Sequence, residues 1–136
     1  VPVGLLDTSV VIDWDDADVV AALPDEAAVS AITFAELAAG PHLASSRVEG
    51  ARRQARLQQL EATFDPIPFD AAAARCFGEV VAAISDRGRS HRGRSHRGRV
   101  ADLLIAATAL ANDVALYTRN PHDFVGLDAL IRVVGV

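Results

Sequence analysis

Val3-Gly-Leu-Leu-Asp-Thr-Ser-Val-Val-Ile12 is the stretch that decides how this chain is built. Val3 to Leu6 is a short apolar run that ends on an acid, which reads as a buried strand stopping at Asp7. Thr8 and Ser9 then offer the hydroxyls that commonly open a helix, and Val10-Val-Ile12 follows as its apolar face. A strand that passes directly into a helix, with a carboxylate at the junction, is the opening unit of an α/β protein.

The same alternation continues outward from that unit. Ala27 to Ile32 reads as a second strand, and Thr33 with Glu36 three residues later has the form of a capping box for the next helix. Gly40-Pro41 should break or kink that helix. Asp13 to Asp18, around Trp14, reads as a solvated turn. Ser46 to Ala62 is a polar helix whose Val48, Leu57 and Leu60 give it one apolar face. Ile67-Pro-Phe69 is expected to be a short edge strand, because proline cannot donate to a ladder. Asp70 caps an alanine-rich helix over 71–85, and Val100 to Asn112 is a small-residue helix suited to close packing on a sheet. Val114 to Thr118 and Ile131 to Val134 complete the strands. Strands alternating with helices imply a parallel sheet covered on both faces. Ligands of such sheets lie beyond the strands' carboxyl ends, where Asp7 and the Thr118–Asp123 loop both fall.

Composition narrows the class. One domain spanning 1–136 is expected from 136 residues, and 51% hydrophobic content with mean hydropathy +0.22 excludes a disordered chain. No apolar run reaches the roughly 18 residues of a membrane span, and the N-terminal residues lack the basic segment of a signal peptide. A single cysteine, Cys76, excludes an internal disulfide and a cysteine metal cluster; it reads as a packed thiol in a cytoplasmic protein. All 13 basic residues are arginine. Receiver domains and phosphoaspartate hydrolases also place acids after parallel strands, but both rely on a lysine that this chain lacks.

Charge is segregated. Arg87 to Arg99 reads RGRSH-RGRSH-RGR, and without its +6 the remainder would stand at −11 instead of −5. Glycine at every fifth position and no apolar residue predict a mobile loop. Arg87, Arg89, Arg92, Arg94, Arg97 and Arg99 are its candidate phosphate contacts. A solvated repeat expansion without a role is the other reading. His91 and His96 belong to the repeat unit and are not expected to ligate metal.

Four carboxylates carry the chemistry: Asp7, Glu36, Asp102 and Asp123. Each has a bland explanation. Asp7 could cap a helix, Glu36 could close a capping box, and Asp102 could favour the first turn of its helix by about 0.3–1 kcal/mol. Asp123 could be a turn residue after Asn120-Pro121. Together they say more. Two carboxylates about 4 Å apart repel by about 4 kcal/mol at an effective dielectric of 20, so a converging group needs a cation. All-oxygen ligands favour Mg²⁺ or Mn²⁺, and such a site activates water for attack on a phosphodiester.

The quoted segments resemble a known family. Leu5-Leu-Asp-Thr-Ser-Val10, Ser30-Ala-Ile-Thr-Phe-Ala-Glu-Leu37, Asp102-Leu-Leu-Ile-Ala-Ala-Thr-Ala109 and Tyr117-Thr-Arg-Asn-Pro-His-Asp-Phe124 are similar, in this order, to those of PIN-domain ribonucleases of the VapC toxin type. The resemblance implies a three-layer α/β/α fold around a central, mainly parallel twisted sheet. It also implies Mg²⁺- or Mn²⁺-dependent endoribonuclease activity as the toxin of a toxin–antitoxin pair, with a VapB-type antitoxin as inhibitor. A homodimer and a toxin–antitoxin hetero-oligomer follow from it as well. By position, Asp7, Glu36 and Asp102 are the implied catalytic metal ligands. Asn120 stands where many relatives carry an acid, so Asp123 is taken as the fourth ligand with Asn120 in support. Thr8, Ser9 and Thr118 are expected as supporting or phosphate-contacting hydroxyls. Two rivals remain: a catalytically silent RNA- or partner-binding PIN-like domain, and a metal-dependent phosphatase or DNA nuclease. Replacing Asp7 or Asp102 by alanine is expected to abolish cleavage and to leave the fold intact or more stable.

Overall fold

A computed structural model of the chain describes residues 3–86 and 96–136. The elements run β1 Val3–Leu6, α1 Thr8–Ile12, α2 Ala17–Ala22, β2 Glu26–Val29, α3 Ala31–Leu43, α4 Arg47–Thr63, α5 Ala71–Asp86, α6 His96–Ala111, β3 Ala115–Thr118 and β4 Val133–Gly135. The strands form one parallel sheet in the order β2-β1-β3-β4. Register places Leu6 of β1 beside Val29 of β2 and Tyr117 of β3.

Side-chain alternation along β1 builds the layers. Leu5 joins one core with Val80 of α5 and Leu103, Ile105 and Ala106 of α6. Leu6 joins a second core with Val10 of α1, Val19 of α2, Leu37 of α3 and Leu60 of α4. Helices therefore cover both faces, the three-layer α/β/α arrangement expected. Close approach shapes β1 as well: a Cβ on Gly4 would lie 2.4 Å from the Tyr117 ring and 2.8 Å from Pro24, so only glycine fits there. Cys76 is partly buried beside the first core, and this burial, then the Glu79 carboxylate, raises its thiol above the ordinary value.

Several local expectations are corrected. β2 stops at Val29 because Ser30 caps α3, accepting the Thr33 backbone N–H at 3.2 Å. Thr33 is therefore inside the helix, and Glu36 is not part of a capping box. α3 continues through Gly40-Pro41 to Leu43. Packing of α4 along it, with Arg53 Nη1 donating to the Gly40 carbonyl at 2.9 Å, holds this last turn. The Ile67 strand reduces to one parallel bridge with Ser30, since Pro66 and Pro68 flank it. Within the acidic stretch 13–18, Asp16 accepts the Asp18 N–H at 2.9 Å and starts α2, an element the sequence reading missed. The last strand lies at Val133–Gly135, two residues later than expected at its start.

The repeat 87–99 is corrected at its end, where residues 96–99 form the first turn of α6. Arg99 anchors this turn by donating from Nη1 to the Asp123 carbonyl at 2.6 Å. The expected contacts at Arg87, Arg89, Arg92 and Arg94, and the side chain of Arg97, lie outside the described residues. Among the described residues, no helix is long and apolar enough to cross a membrane.

Candidate active site

Strand order locates the switch point. From β1 the chain leads toward β2 on one side; from β3 it leads toward β4 on the other. The connections therefore part between the carboxyl ends of β1 and β3, the place where sheets of this kind bind ligands. Asp7 N–H donates to the Tyr117 carbonyl at 2.8 Å, which ties the two strand ends together at that point.

Asp7 is 4% exposed and occupies the cap position of α1, yet its side chain makes no capping bond. It accepts from two side-chain hydroxyls instead. Ser9 Oγ and Thr118 Oγ1 both donate to Asp7 Oδ2 at 2.8 Å. Each hydroxyl also accepts a backbone N–H from the loop after β3: Ser9 from Arg119 at 3.1 Å, Thr118 from Asn120 at 3.0 Å. Loop backbone, hydroxyl and carboxylate thus form two aligned donor chains that end on one oxygen. Among the described residues, no hydrogen bond reaches the other oxygen, Oδ1. Ser9 and Thr118 therefore bond directly to Asp7, and Asn120 enters this arrangement through its backbone N–H.

Glu36 is half-buried on α3 and accepts from Thr8 Oγ1 at 2.6 Å. Thr8 has one hydroxyl proton, so the 2.9 Å contact between Thr8 and Thr33 has Thr33 as donor. Thr33, fully buried, thus supports Thr8 and does not cap the helix as its spacing suggests. Asp102 is 7% exposed in the second turn of α6, too far along for the first-turn dipole explanation. Contact of α3 with α6 brings the helices of Glu36 and Asp102 together. Asp123, 8% exposed, lies in a 3-10 turn Pro121–Phe124; its N–H donates to the Asn120 carbonyl at 3.0 Å. The exposed His122 Nε2 stands 3.7 Å from its Oδ1.

Arg119 was not anticipated either. Its guanidinium lies 3.0 Å from Asp13 and 3.6 Å from Asp16, linking the α1–α2 turn to the loop that supports Asp7. Its position one residue past a strand end carrying Thr118 was the signal available in the sequence.

Asp7, Asp102 and Asp123 are thus buried acids, with Glu36 half-buried on an adjoining helix. Their oxygens fit a hard divalent cation in kind. As they stand, no three His, Cys, Asp or Glu side chains among the described residues form a cage for a metal.

Comparison with known proteins adds lineage to this geometry. The family described as PIN domain matches residues 4–129. The chain is 33% identical over 132 residues to "Ribonuclease VapC5" of Mycobacterium tuberculosis, covering 96% of this chain and 91% of that protein. A solved structure of VapBC-5 from Mycobacterium tuberculosis, a member of the VapBC family of toxin–antitoxin systems, superposes with TM-score 0.82 at 31% identity, over 100% of both chains. FitAcB from Neisseria gonorrhoeae superposes with TM-score 0.76 at 27% identity, covering 97% of this chain and 96% of that one.

Proposed function

Since this chain belongs to the PIN-domain family, we propose that it is a divalent-metal-dependent endoribonuclease and the toxin of a toxin–antitoxin pair. The observation that carries the reading is Asp7, buried at the switch point with two hydroxyl donors on one oxygen. Similarity to a ribonuclease over 96% of the chain supports RNA as the substrate. The likeness to VapBC-5 supports a VapB-type antitoxin as partner, with a homodimer and a toxin–antitoxin hetero-oligomer as the assemblies.

Asp7, Glu36, Asp102 and Asp123 would hold Mg²⁺ or Mn²⁺. When bound, the ion supplies a polarised phosphate and an acidified water. The chain's own residues prepare the rest. Ser9 and Thr118 fix the rotation of the Asp7 carboxylate, so Oδ1 faces away from the donors that hold Oδ2. Thr8 holds Glu36 in place, and Thr33 behind it fixes the Thr8 hydroxyl. Attack by water in place of the ribose 2′-hydroxyl gives products with 5′-phosphate and 3′-hydroxyl ends.

The test is cleavage of RNA by antitoxin-free protein, wild type beside Asp7→Asn and Asp102→Asn, across Mg²⁺ and Mn²⁺ concentrations. Metal-dependent cutting by wild type, reduced at least ~100-fold in both variants, is expected, a loss of about 2.7 kcal/mol or more in transition-state stabilisation. Equal cutting by all three would remove the assigned ligands. RNA bound but left intact at every metal concentration would favour a silent binding domain.

A further inference from the structure

A groove of about 450 Å³ between α1, α3 and α4 is bordered by Glu36 and Thr8. Its apolar lining includes Ile12 and Leu43, with 45% and 65% of their surfaces exposed. α4 contributes Glu49, Arg53 and Arg56 to its lining. Two of these are already engaged. Glu49 Oε1 and Oε2 accept from Arg52 at 2.9 Å and Arg53 at 3.1 Å, and Arg53 also donates to the Gly40 carbonyl.

Arg56 differs from both. It is half-buried and makes no hydrogen bond or ion pair among the described residues. A half-buried guanidinium has given up part of its hydration, and its planar fork of donors matches phosphate oxygens. It borders two hollows. The one beside Trp14 and Phe64 holds about 40 Å³, room for a few waters. The groove toward Glu36, at about 450 Å³, lies in the ~300–1,000 Å³ range of ligand-binding pockets. Of these two hollows, the one on the Glu36 side has the volume for a nucleotide.

We propose that Arg56 binds a phosphate of the RNA strand next to the one positioned at the acidic site, with the intervening nucleoside against Ile12 and Leu43. The lining suits such a strand in kind: the Glu36 carboxylate, which would share in holding the metal at the scissile phosphate, apolar side chains for the nucleoside, and an uncommitted cation. The inference rests on the ribonuclease reading and deepens it. Arg56 is a substrate-positioning residue.

The experiment measures binding of a fluorescein-labelled random 12-nucleotide single-stranded RNA by anisotropy, with EDTA present so that nothing is cut, over a series of salt concentrations. Arg56→Ala and Arg56→Gln should each weaken binding by about tenfold. Both should lower the slope of log K against log salt by about 0.7, the value of one single-strand phosphate contact. Arg56→Lys should restore the slope, and Arg52→Ala, on the same helix with a 63% exposed side chain, should change neither quantity. Thermal melts confirm that each variant is folded. Wild-type affinity and slope in Arg56→Ala and Arg56→Gln would overturn the subsite while leaving the ribonuclease reading intact. Failure of wild type both to bind and to cleave RNA would overturn both.

Discussion

At the scale of single residues, Asp7 and Thr118 are one unit. Thr118 is fully buried, donates to Asp7 and accepts from Asn120, so its hydroxyl is used twice. Thr118→Val keeps the shape and removes both bonds, leaving the Asn120 N–H without its acceptor. The expected cost is about 1–3 kcal/mol in urea unfolding, with the slope of the transition unchanged. This pairing also revises the expectation for Asp7→Ala. Relief of like-charge repulsion favours the variant, but two hydroxyls lose their acceptor, one of them fully buried. A net loss of stability is the outcome the geometry supports, and Asp7→Asn, which keeps an acceptor oxygen, is the cleaner probe.

At the scale of elements, the α3–α4 pair explains why a helix survives Gly40-Pro41. Proline there lacks the N–H that would reach the Leu37 carbonyl, a defect worth up to about 3 kcal/mol in a helix interior. In the final turn it costs less, because fewer bonds lie beyond it. Arg53 adds a tertiary bond to the Gly40 carbonyl, and its aliphatic stem packs 3.3 Å from where a Gly40 Cβ would sit. Arg53→Ala should therefore destabilise by about 1–2 kcal/mol, while Arg52→Ala, which loses only an exposed ion pair, should cost under about 0.5 kcal/mol. Chemical denaturation of the two variants side by side measures the contrast. Equal effects would mean that the bond to Gly40 contributes nothing. α2 shows the opposite limit: six residues opened by Asp16 were hidden in the sequence by the acidic run around it.

At the scale of the whole molecule, the proposed ion site would link folding to ion binding, since its acids stand on four separate elements: α1's cap, α3, α6 and the 3-10 turn. Anything that binds the folded state and not the unfolded chain stabilises it, by about 2.7 kcal/mol at a hundredfold excess over Kd. Mg²⁺ or Mn²⁺ should thus raise the thermal midpoint of wild type by several degrees. Asp102→Asn should lose most of that rise, and Ca²⁺-free buffer with EDTA should set the baseline for both. A rise of equal size in the two proteins would place the ion elsewhere.

How much of this was legible depended on range. Short-range patterns carried the parallel α/β class: the apolar run Val3–Leu6, the alternation of strands with helices, and acids at strand ends. The motifs around Asp7, Glu36, Asp102 and Asp123 identified the PIN family, since residue order along the chain records lineage directly. What the sequence could not decide was where side chains point and what they touch. Thr33 had the spacing of a cap, and only the stop of β2 at Val29 put Ser30 in that role and left Thr33 behind Thr8. Arg119, Arg99 and Arg56 look alike in sequence, yet the fold ties the first to Asp13, binds the second to the Asp123 carbonyl, and leaves the third at the wall of a groove. Local propensity acts over a few residues, whereas these roles arise from contacts between residues tens of positions apart, which exist only after the layers have packed.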